Sequence, residues 1–131
     1  MDKHMNSSWW ALRIGLGVAP FLAGLDKFFN LLTKWELYLN PLVLRLIPVA
    51  PATFMRAVGI IEMIVGLAIL TRWTRLGAYV AAAWLVGIAL NLVAMGAFLD
   101  VAVRDLLLAV AAFTLARLTE ARQSEAGAFI A

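Results

Sequence analysis

The chain has 131 residues, 64% of them hydrophobic, with a mean hydropathy of +0.92 and a formal net charge of +3. Soluble domains average about 45–50% apolar residues even with Gly counted, so this composition belongs to the membrane class and leaves no separate soluble domain. The lack of cysteine excludes disulfides, thiol redox chemistry and thiolate metal sites, and the single histidine, His4, excludes a haem held by two histidines of one chain. Basic residues in such a chain belong at lipid headgroups, so the lipid bilayer is the expected partner and nucleic acid is not.

Residues 1–8 are polar and expected to be mobile. Trp9 and Trp10 then mark a lipid boundary, which suits their amphipathic rings. The first span is expected over 9–32. Arg13 can snorkel to the interface. Gly15, Ala19 and Ala23 recur every fourth residue and predict a flat strip for a neighbouring helix. A secretory signal has an apolar core of about 7–15 residues after a basic region. Here Arg13 interrupts the run and Asp26-Lys27 follows it, so a retained span is expected.

Residues 33–52 form the one substantial connection. Thr33 and Glu36 have capping-box spacing, Asn40-Pro41 can open a short helix, and Pro48 and Pro51 are expected to end it. The segment is too broken to cross a bilayer. It reads as short interfacial helices lidding the bundle, or equally as a plain connector. The second span is expected over 53–70, the third over 75–96 and the fourth over 101–118, with a polar tail over 119–131. Turns at 72–75 and 96–100 join the last three. Gly77, Ala81, Trp84, Ile88 and Asn91 share one face of the third span. The fold class is therefore all-α: an integral membrane, antiparallel four-helix bundle with interfacial helices between the first and second spans. Lys3, Arg72, Arg75, Arg117 and Arg122 gather on the side of both termini, which predicts cytoplasmic termini.

Glu62 stands inside an otherwise apolar helix. An acid at the centre of a membrane helix costs about 2.5–3.5 kcal/mol on insertion scales, so a sheltered site is expected. Counting from the non-cytoplasmic ends puts Asp26 and Lys27, Glu62, Asn91, and Arg104 and Asp105 in the same half of the membrane, one group from each span. Arg56, Gly59, Glu62, Met63 and Gly66 share about a third of their helix circumference at about 100° per residue. Asp100 and Arg104 can pair at i,i+4, leaving Asp105 for a neighbour such as Lys27. The ligand-binding set read from spacing is Asp26, Lys27, Arg56, Glu62, Asn91, Arg104 and Asp105, with Glu62 as the proton-exchanging acid. The same charges can instead fix helix register without chemistry. Trp84 reads as packing, and Arg72 and Arg75 as interface anchors.

Four pieces taken together resemble the DoxX / DoxX-like family of small four-span membrane proteins. They are Ala23-Gly24-Leu25-Asp26-Lys27-Phe28, Trp35-x-x-Tyr38-Leu39, the run from Gly59 through Glu62 and Gly66 to Leu70, and Asp100-Val101-Ala102-Val103-Arg104-Asp105-Leu106. The likeness covers about residues 12–118. It departs from the family at Leu70-Thr71, where a further Gly is common. The resemblance implies a bacterial or archaeal plasma-membrane protein. Some family members are subunits of quinone-linked oxidoreductases, others are membrane components of redox-stress complexes, and distant relatives act in assembly. The expected function is a membrane subunit of an oxidoreductase system with a polar pocket for a quinone-like molecule, electrons coming from a soluble or membrane partner subunit or from a bound cofactor. A second copy of the chain is a further candidate partner. The chain itself carries no identifiable cofactor site and no metal site. A non-catalytic binding or assembly module, and a small proton-coupled transporter, are the alternatives.

Overall fold

The structure is a computed structural model that describes residues 2–32, 34–46 and 49–130, without side-chain detail at 43, 44 and 126–130. Four long helices carry it: α1 (Lys3–Asp26), α3 (Pro51–Leu70), α4 (Thr74–Met95) and α5 (Leu99–Ile130). The connection between α1 and α3 holds a 3-10 turn, Trp35–Tyr38, and the short helix α2 (Pro41–Leu46). No strand occurs among the described residues. α1, α3 and α4 are long and apolar enough to cross a membrane. α5 is long enough too, but Arg104 and Asp105 near its start and Arg117, Glu120 and Arg122 near its end make it more charged.

Several element bounds differ from the sequence reading, each for a local reason. α1 begins at Lys3 because the Asp2 carboxylate accepts the His4 N–H and caps it, so residues 3–8 are helical. It stops at Asp26, six residues before the expected end of the span, where the Asp26 carboxylate takes the N–H groups of Leu31 and Leu32. The capping box falls partly on Thr33, which lies outside the described residues, as does Pro48. Asn40 does cap α2, accepting the Leu42 N–H at 3.0 Å, with Pro41 at the first position. Pro51 opens α3 rather than closing α2. α4 ends at Gly96, whose φ of 67° gives the left-handed cap that glycine adopts without penalty. α5 runs on beyond 118 because its extension is docked: Trp9 Nε1 donates to Thr119 Oγ1 at 2.8 Å, and the Tyr79 hydroxyl donates to Glu120.

The bundle is built from two antiparallel pairs, α1 with α3 and α4 with α5, joined mainly through α3 and α4. Gly24 meets Gly59 backbone to backbone, and Gly17 meets Gly66, seven residues along each helix. A Cβ at Gly24, Gly59 or Gly66 would strike the facing carbonyl. This replaces the expected strip: Gly15 has open space around it, so the close approach lies on the Gly17–Gly24 face. Small residues serve the same end elsewhere. Ala78, Ala81, Ala112 and Ala116 pack with Trp9, Ile69 and Leu115 near the termini, and Ala89, Leu92 and Ala102 pack under Tyr38 and Phe98 at the other end. The large apolar side chains point outward instead: Ile14, Leu22, Ile64, Leu67, Leu90, Val103, Leu107 and Val110 are all exposed. Such a skin is unusual for a water-soluble monomer.

Replacing Gly59 with Val forces α1 from α3, whereas Gly15→Ala does not. Overpacking costs about 1–3 kcal/mol. Thermal unfolding in detergent is expected to show a clear loss for Gly59→Val and none for Gly15→Ala.

Candidate functional site

The glycine contact between α1 and α3 decides where the charged residues go. Because Gly24 and Gly59 touch, the Lys27 stem lies against Gly59, and its long side chain runs along α3 to reach Glu62, one turn after Gly59. Lys27 Nζ donates to Glu62 Oε2 at 2.9 Å, with side-chain exposures of only 5% and 11%. This supplies the partner that Glu62 lacks on its own helix. Asp105 of α5 is buried and close enough for its charge to act on Glu62. Its ion-pair partner is Arg104, at 3.7 Å. The expected Lys27–Asp105 link is thus replaced by Lys27–Glu62, because α1 lies against α3. Likewise Arg104 turns to its chain neighbour Asp105 rather than to Asp100.

The connection closes over this pair. The Trp35 ring lies over Lys27 Nζ at 3.7 Å, a cation–π contact, and Trp35 Nε1 donates to Asp26 Oδ2 at 3.0 Å. Asp26 therefore shapes the chain reversal after α1, with three donors on one carboxylate. Asn91 Nδ2 donates to the Tyr38 carbonyl at 2.9 Å, tying the 3-10 turn to α4. The Tyr38 ring packs on Phe98 at 4.5 Å, and Leu39 is buried. Leu42 and Leu46 of α2 face outward. The half of the connection nearest α1 is therefore a lid.

Of the seven residues read from spacing, Asp26, Lys27, Glu62 and Asp105 are buried and Asn91 is half-buried. Arg56 is exposed, and the Arg104 side chain is 64% exposed, so neither cation joins Lys27 inside. Two tryptophans belong to the site that spacing did not assign to it. Trp35 carried a signal in the family-like Trp-x-x-Tyr-Leu piece. Trp84 carried one in sharing a face with Asn91. Its Nε1–H lies near enough to act on the Glu62 carboxylate, yet it is buried without a hydrogen bond of ordinary geometry. The acceptor it acts on is the Glu62 carboxylate itself, and a buried donor left wholly unmet would cost about 1–3 kcal/mol. Among the described residues no group of His, Cys, Asp and Glu could hold a metal ion.

Removing one member of a buried pair leaves an uncompensated charge and costs about 3–5 kcal/mol, whereas replacing both by apolar groups is often neutral. Lys27→Met alone is expected to destabilise the bundle strongly, and Lys27→Met with Glu62→Met to recover most of the loss. Thermal unfolding of the two single variants and the double variant measures this coupling.

No family model matches the chain, and no curated protein or solved structure matches it.

Proposed function

We propose that the chain is a multi-pass membrane protein, α1, α3, α4 and α5 each crossing the bilayer, with a DoxX-like polar site in the half away from the cytoplasm. Three apolar helices and the outward apolar skin support the membrane reading. The fourth crossing is assigned to α5 because it pairs with α4 along its length and keeps its inward acid, Asp105, under cover. Both termini face the cytoplasm on this reading, in a bacterial or archaeal plasma membrane.

The site is read as a place for the oxygen-bearing headgroup of a quinone-like molecule. The observation that carries this is the buried set of donors around one acid: the Lys27 ammonium and the Trp84 N–H beside Glu62. A headgroup oxygen would accept from Lys27 and Trp84. Glu62 would exchange the proton that accompanies oxidation or reduction. Lys27 is the cation at the headgroup, since the Arg104 side chain is exposed, and Asn91 holds the lid rather than the ligand. With no cysteine and one histidine in the chain, the electrons are assigned to a partner subunit or to a bound cofactor. A second reading is a non-catalytic assembly module. The short Lys27–Glu62 contact favours it, since that pair is already satisfied without a ligand.

Two experiments test these readings. The cysteine-free chain suits single-cysteine labelling with a membrane-impermeant maleimide: Asn40→Cys is expected to react from outside intact cells, and Arg72→Cys only after permeabilisation. Titration of the purified chain with a short-chain quinone is expected to quench tryptophan fluorescence saturably. Trp84→Phe and Glu62→Gln should each weaken binding about tenfold, the scale of one lost hydrogen bond to a charged or buried group. Unchanged binding in both variants favours the assembly reading.

A further inference from the structure

The opposite end of the bundle holds a second polar feature, formed by residues that have no part in the Lys27–Glu62 site. A cavity of about 190 Å³ opens between the start of α1, the α3–α4 turn and the late part of α5. Its walls include Trp9, Arg13, Arg72, Thr74, Arg122 and Gln123. Among the described residues lining it there is no Asp or Glu. At the ~30 Å³ that each water occupies in the liquid, the space takes a tetrahedral oxyanion with some hydration.

The three guanidiniums are held in different ways. Arg13 donates through Nε and Nη2 to the carbonyls of Ile69, Leu70 and Thr71, closing the C-terminus of α3. Its Nη1 hydrogens are not used in these bonds. Arg122 lies over the Trp9 ring at 3.8 Å and Arg13 lies 5.0 Å from the same ring. Trp9 is itself fixed by its bond to Thr119. The two cations are thus clamped on one indole, close enough for their like charges to interact. Arg72 lies on Trp73. Arg75 and Arg117, just outside the cavity, share Glu120. Two cations clamped on one indole, with Arg72 on the exposed turn beside them, line a cavity whose walls carry no acid; such a place calls for an anion, and arginine forks match the oxygens of phosphate.

We infer that the cavity bounded by Arg13, Arg72 and Arg122 binds a phosphate-type oxyanion, carried by a lipid headgroup or free in solution.

The test uses the purified full chain in a neutral maltoside detergent. Inorganic phosphate and dihexanoyl phosphatidylglycerol are titrated separately against chloride at matched ionic strength, with tryptophan fluorescence as the readout. Saturable binding is expected for the wild type. Arg122→Gln is expected to raise Kd at least about tenfold, the share of one charge-assisted contact. Arg75→Gln is expected to leave it unchanged. Arg72→Gln, on an exposed turn, is the second variant if Arg122→Gln loses helical circular dichroism. Tighter binding of the phosphatidylglycerol assigns the site to a lipid headgroup, and tighter binding of phosphate assigns it to a free ion. No saturation by either probe, or a Kd unmoved in both Arg122→Gln and Arg72→Gln, overturns the inference.

Discussion

The contact on which the candidate site rests is the hydrogen-bonded ion pair between Lys27 at the end of α1 and Glu62 in α3. Both charges have left solvent, and a buried ion pair recovers that cost only when its geometry is good and its remaining valences are met. The structure meets the first condition by bringing backbones together, and Trp35 supplies a cation–π contact toward the second. Gly24 and Gly59 remove the side chains that would hold the helices apart, so the stem of Lys27 can lie on Gly59 and its ammonium can reach Glu62 one turn along α3. Trp35 then covers the ammonium. Sequence, close approach, ion pair and lid form one chain of causes, and each step needs the one before it.

The two ends of the bundle solve the same problem differently. At the lid end the Lys27 and Glu62 charges are paired and covered, and the connection is anchored by Asp26 and Asn91. At the termini end cations are stacked on aromatic rings, with Arg13 spent on the carbonyls that α3 leaves unsatisfied. The Thr74 hydroxyl shares two of these carbonyls, those of Ile69 and Thr71, and Arg13 also serves that of Leu70, so both side chains close the end of α3. The neighbouring Arg122 has no such task, and this is what separates it from Arg13.

Much of this was legible in the residues. Apolar runs broken by basic turns located the long helices, and the depth of Glu62 marked it as an acid needing shelter. Asn40-Pro41 announced α2. What could not be read was which neighbour each charge would face. Spacing along one helix gives a face, but the pairing of α1 with α3 is decided by glycines, and the chain offered two glycine or alanine registers on α1. Gly15 with Ala19 and Ala23 fits the short four-residue repeat, while the contact uses Gly17 and Gly24, a seven-residue repeat that matches Gly59 and Gly66. Helix ends are hidden from the sequence for a related reason. Asp26 reads as a charge inside a span, but its carboxylate gathers the backbone of Leu31 and Leu32 and ends the helix there. Thr119 and Glu120 read as tail, but their partners Trp9 and Tyr79 lie on other helices, and no local pattern reveals them.

The most direct test of the account is the separation of the Lys27 nitrogen from the Glu62 carboxyl carbon in a lipid bilayer. With Lys3, Lys27 and Lys34 the only lysines, selective 15N-lysine and 13C-glutamate labelling makes the pair accessible to solid-state dipolar recoupling. The account predicts one strong coupling, consistent with the 2.9 Å contact between Nζ and Oε2, that vanishes in Glu62→Gln. Absence of that coupling in the wild type, or its persistence in the variant, would contradict it.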